Sequence, residues 1–144
     1  MILDGQLQFS SSQLVTAAAA STNYVDLGVA RDIGTGRDLY IVVNVSVTLT
    51  DGGSNTSTPV ILYGDSTTTF TPDGQQTLFS FDDGDVAGTV KIAKLDPGSA
   101  PLQYRYIELY YDPQGASLTG GAFDAHMALD VQSYVSYADG FTIS

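Results

Sequence analysis

Residues 38–50 read DLYIVVNVSVTLT, and their alternation decides the fold class. In an extended chain Ile41, Val43, Val45, Val47 and Leu49 fall on one side. Asn44, Ser46 and Thr48 fall on the other, together with Tyr40 and Val42. A period of two with one dry and one largely polar face belongs to a strand in an antiparallel sheet wetted on one side. The same period recurs outward in both directions. Leu7 and Phe9 mark a short N-terminal strand, and residues 24–27 a second one closed by Gly28. Further strands are expected at 60–63, 67–71, 77–81, 90–95, 102–111 and 122–131.

Turn chemistry separates them: DGGSNTST at 51–58, Pro72-Asp73-Gly74, Asp82-Asp83-Gly84-Asp85, Asp96-Pro97-Gly98 and Asp112-Pro113-Gln114-Gly115. The small, polar run SSQLVTAAAAS at 11–21 reads as an extended or irregular arm, and QSYVSYADGFTIS at 132–144 as an aromatic-bearing tail. About eight short strands between Gly, Pro and Asp turns predict an all-β, jelly-roll-like antiparallel sandwich with extended terminal arms. At 144 residues the chain fits one domain, with no internal repeat.

Composition narrows the chemistry. With no cysteine, a disulfide framework, a thiolate metal site and a cysteine nucleophile are all excluded. The balance is 16 acidic against 5 basic residues, a formal net charge of −11. All the acids except Glu108 are Asp, a turn-former rather than a helix-former. Arg31, Arg37, Lys91, Lys94 and Arg105 form no cluster along the chain, so neither nucleic acid nor an anionic membrane is an expected partner. Apolar runs such as 39–43 are too short to span a bilayer, and the start MILD has no basic region of a secretory signal; the protein reads as made and kept in a cytoplasm.

Each candidate reactive group has a plainer explanation. His126 is the single histidine, on the polar side of a strand between Asp124 and Asp130, and reads as a surface or interface residue. A catalytic triad would need a placed serine, and there is no G-x-S-x-G elbow. Asp82, Asp83 and Asp85 lack the spacing of an EF-hand and read as a solvated acidic turn. The acid pairs Asp26/Asp32 and Glu108/Asp112 read as loop and edge acids rather than glycosidase carboxylates. Tyr104, Tyr106, Tyr110 and Tyr111 suit a glycan platform, but tyrosine is equally a strand and interface residue. The residues alone thus describe an acidic β-sandwich without a visible catalytic site, metal or cofactor.

Three stretches resemble one family. MILDGQLQFSSSQLVTAAAASTNYVDLG at 1–28 and ARDIGTGRDLYIVV at 30–43 resemble the start, and DVQSYVSYADGF at 130–141 the end, of small tailed-phage capsid decoration (cement) proteins. The resemblance implies a jelly-roll virion protein on the outer capsid surface that stabilises contacts between major capsid protein subunits. It implies self-association as well, a homodimer on base rates or a homotrimer at a threefold site. It carries no catalytic residues. The termini are expected to supply much of the contact, with Ile2, Leu3, Leu14, Val15, Tyr134, Tyr137 and Phe141 as the candidate capsid or oligomer interface. The rival expectation is a carbohydrate-binding β-sandwich module for host or surface attachment, recognisable by an aromatic patch on one face.

Overall fold

The computed structural model describes residues 7–28, 39–51, 53, 57–69, 71–96 and 98–128. The described residues form nine strands: β1 (Gln8–Leu14), β2 (Ala19–Ala20), β3 (Val25–Asp26), β4 (Tyr40–Asp51), β5 (Thr58–Asp65), β6 (Gly74–Phe81), β7 (Val90–Lys94), β8 (Tyr106–Tyr111) and β9 (Leu118–Ala128). They form two antiparallel sheets with the orders β1-β9-β4-β7 and β2-β8-β5-β6, with β3 also paired to β8. Counting β2 and β3 as one interrupted strand, the chain pairs first with last: β1 with β9, β2/β3 with β8, β4 with β7 and β5 with β6. That nested pairing is the jelly roll, the all-β antiparallel sandwich expected from the sequence.

The core lies between the sheets. Phe9, Ile41, Val43, Val45, Leu49, Phe123, Ala125 and Met127 face inward from one sheet, and Val60, Leu62, Phe81, Ile107, Leu109 and Tyr111 from the other. Phe123 links the two layers. Its ring stacks on Tyr111 at 4.9 Å with an interplanar angle of 2° and meets Phe81 at 5.2 Å. The buried Tyr111 hydroxyl and the Ser10 hydroxyl form a hydrogen bond of 2.8 Å, so the polar end of the largest core side chain is satisfied across the sheets. Lys91 of β7 donates to the Ser80 carbonyl and rests its ammonium 5.1 Å from the centre of the Phe81 ring, fastening the β7 and β6 edges together.

Several expectations need correction. The extended or irregular arm expected at 11–21 is extended in two stretches, and both are paired into the sheets. β1 runs on to Leu14 along β9, and β2 pairs with Tyr110 and Tyr111 of β8. Small residues hide a strand because they lack the bulk that marks a strand face. The run is anchored by Gln13, whose side chain bonds the Thr22 amide, the Thr22 hydroxyl and the Ala20 carbonyl. Residues 66–69 turn instead of forming a strand, with Asp65 accepting from the amide and hydroxyl of Thr67. The aromatic run at 102–111 is strand only from Tyr106, because Ala100–Gln103 is a 3-10 helix started by Pro101. β9 begins earlier than expected, at Leu118. The tail at 132–144 lies outside the described residues.

Candidate interaction surface

Among the described residues, no group of three or more His, Asp or Glu side chains could hold a metal ion. What the fold presents are the two outward faces of its sheets.

On the β1-β9-β4-β7 face, β-bulges decide which residues emerge. β1 shifts register between Ser10 and Gln13, where Ser12 takes a positive φ of 44° and its amide donates to Asp124 at 2.6 Å. β4 shifts between Val45 and Val47 and again before Thr50. As a result Leu14 of β1 and Val47 of β4 both pair with Ala122 of β9, one from each side. Leu14 is 65% and Val47 52% exposed. The segment between β6 and β7 runs beside β4, with the Leu49 amide on the Asp85 carbonyl and the Gly88 amide on the Val45 carbonyl. That pairing brings Val86, 60% exposed, alongside Val47. Leu14, Ala122, Val47 and Val86 thus form an apolar band across the face, bordered by Ser12, Ser46 and Thr48. Farther along, Val42 and Ala128 are buried in a second apolar cluster with Tyr40, Val90 and Ile92, so this end of the face is not the polar one the alternation implied.

The opposite face carries tyrosines and acids. Tyr63 and Tyr110 stack at 5.0 Å, and Tyr24 meets Tyr106 edge-on at 5.5 Å. Arg105 forms a two-point ion pair with Asp26 at 2.9 and 3.0 Å and lies over the Tyr106 ring, which ties β3 to β8. The pair holds the Asp26 carboxyl down at about 2. Register puts Glu108 opposite Tyr63 and Asp65 opposite Tyr106, so the two acids are diagonal neighbours on one face. Glu108 is only 8% exposed; burial first, and then the Asp65 charge, push its carboxyl up to about 7.

A raised carboxyl makes stability depend on pH in a definite direction. Below the ordinary value of 4.5 both folded and unfolded chains hold the Glu108 proton, and the group contributes no difference. Between 4.5 and about 7 the unfolded chain releases it first, so stability falls as pH rises and levels off above that window. In chelator-treated buffer the loss is expected to be about 1–2 kcal/mol, less than the full shift because the protein relaxes around the charged group. Glu108→Gln should flatten that slope in urea unfolding at pH 4.5 and 8; an unchanged slope would assign the dependence to other acids.

The candidates named from sequence divide. Leu14 is exposed, in the apolar band. Val15 is 1% exposed and belongs to the core, its amide bonded to the Gly121 carbonyl, so it offers nothing to a partner. Ile2, Leu3, Tyr134, Tyr137 and Phe141 lie outside the described residues, as does Asp32. His126 is buried rather than on the surface, paired with Val42 and Gln8, and burial pulls its pKa down against the pull of Asp124. Of the four tyrosines considered as a platform, Tyr106 and Tyr110 share the outer face, Tyr104 reaches the Asp73 carbonyl, and Tyr111 is core. Asp82, Asp83 and Asp85 form a turn closed by the Asp82 amide on the Asp85 carboxylate. Sequence reasoning missed Val47, Val86 and the Asp65–Glu108 neighbourhood. Strand register alone could have revealed the last, had β5 and β8 been paired.

The family model Bbp16 matches residues 9–127, nearly the whole described sandwich. No curated protein matches the chain.

Proposed function

The chain belongs to the Bbp16 family, a phage-associated family by name, and from that premise we propose that it is a capsid decoration (cement) protein that binds outside a phage capsid and steadies contacts between major capsid protein subunits. The observation that carries the reading is the apolar band of Leu14, Val47 and Val86, three large side chains left in water on one sheet face. Large apolar side chains gathered in one exposed band mark a surface that finds a partner. The bordering hydroxyls of Ser12, Ser46 and Thr48 suit a polar rim, and many copies on a symmetric shell turn modest contacts into firm attachment. The net charge of −11 supports a partner other than DNA.

The test is co-sedimentation of the purified protein with expanded capsids that lack it, followed by counting copies per particle. Saturable binding at a copy number set by icosahedral symmetry is expected. Leu14→Asp and Val47→Asp, both at exposed positions, should each weaken binding about 10-fold or more without lowering thermal stability, since a central interface contact is worth roughly 1–2 kcal/mol. No association at any salt concentration would overturn the proposal. The tyrosines Tyr24, Tyr63, Tyr106 and Tyr110 on the opposite face favour one second reading, a glycan-binding module, which a glycan screen distinguishes.

A further inference from the structure

We propose that Asp65 and Glu108 form a binding site for a hard divalent cation, of the calcium or magnesium class, on the outward face of the β5–β8 ladder. Asp65 ends β5 and is 2% exposed. One carboxylate oxygen, Oδ1, accepts from the Thr67 amide at 2.7 Å and the Thr67 hydroxyl at 3.1 Å, which fixes the plane of the group. The other oxygen, Oδ2, is buried and has no hydrogen-bond donor. A buried carboxylate oxygen without a partner is costly, and a fold keeps one when something else satisfies it. Its diagonal neighbour is Glu108, the second buried carboxylate of this face.

Among the described residues the neighbouring cation, Arg105, is already engaged. Arg105 holds both its contacts on Asp26, at the β3 edge. Tyr63, Tyr106 and Tyr110 occupy the positions around Glu108 on the same face and bring no positive charge. Among the described residues this part of the face thus offers oxygen donors, Oδ2 of Asp65 and the Glu108 carboxylate. Oxygen donors select hard cations. Magnesium is characteristically held by one or two carboxylates while keeping several waters, and calcium accepts the same donors at longer range. Two protein carboxylates with solvent completing the shell fit that pattern, and no third carboxylate is required. A cation here would staple the end of β5 to the middle of β8, whatever surface the protein binds.

Terbium, a luminescent stand-in for calcium, gives a direct readout, because the chain has nine tyrosines and no tryptophan. The full-length protein, stripped with chelator, is titrated with Tb³⁺ while tyrosine is excited. Saturable sensitised emission is expected, displaced by Ca²⁺. Asp65→Asn and Glu108→Gln should each lower the apparent affinity at least 10-fold. Both remove a negative charge from a like-charged pair, so both should stay folded, and circular dichroism checks this. Asp83→Asn, in the acidic turn, should leave the signal unchanged. Ca²⁺ should also raise the melting temperature of the wild type but not of Glu108→Gln. Absence of sensitised emission, or emission that survives in both carboxylate variants, would overturn the proposal. So would a wild-type melting temperature indifferent to Ca²⁺, which would mean that the pair holds a proton instead.

Discussion

Phe123→Ala is expected to lower the unfolding free energy by about 4 kcal/mol, a fall of roughly 12 °C in melting temperature for a chain of this length. The side chain is fully buried at the centre of β9. It is where the two sheets touch through aromatic rings, Tyr111 on one side at 4.9 Å and Phe81 on the other at 5.2 Å. Truncation removes the transfer free energy of a whole ring and leaves a cavity. β9 is the central partner of both β1 and β4, so backbone ladders on both sides oppose collapse into the gap. Tyr111 would lose its stacking partner while its hydroxyl stays bonded to Ser10, which holds the ring where it is. Phe123→Leu should recover about half of the loss. Guanidinium unfolding of the three proteins, read with a common slope, checks this; a loss below about 1.5 kcal/mol would mean that the sheets close on each other more easily than the stacked geometry implies.

How much of this could be read beforehand depended on where period two holds. It holds in the first half of β4, and Ile41, Val43 and Val45 are core as the alternation requires. It breaks at the bulge, where one extra residue turns Val47 from the expected dry face to solvent, while Leu49 returns to the core. Nothing in VNVSVTLT announces the bulge, since every residue there is a good strand former. Val15 failed in the opposite sense. A valine in a run of small polar residues looked stranded, but β1 carries it past Leu14 to a bond with Gly121 and into the core. The acidic neighbours Asp65 and Glu108 lie far apart in sequence and meet only through the β5–β8 register. Local patterns thus displayed the sheets and their turns. The surface features on which function depends come from irregular register and distant pairing, which local patterns do not encode.

Gly64→Ala should cost about 3 kcal/mol or more, for a reason of space rather than backbone freedom. Gly64 pairs with Gly74 across β5 and β6, where the chain passes closely under the 3-10 helix at Ala100–Gln103. A Cβ on Gly64 would stand 2.2 Å from the Pro101 carbonyl oxygen and 2.7 Å from two further backbone atoms. Backbone cannot swing aside as a side-chain tip can, so the helix must lift. Lifting it withdraws Leu102, fully buried at this end of the sandwich, and opens the core to water. A Cβ on Gly74 would meet Ala100 backbone at 2.9 Å and the Tyr104 ring at 3.0 Å, a milder clash because the overlap is smaller than the 2.2 Å approach at Gly64. The order of loss should therefore be Gly64→Ala above Gly74→Ala. The Gly64→Ala and Leu102→Ala losses should also fall short of adding in the double variant, since both act through the same displaced helix. Thermal melts of the wild type and the four variants decide it. If Gly64→Ala melts within 1 kcal/mol of the wild type, or if the two losses simply add, the helix is not the lid on the core that this packing makes it.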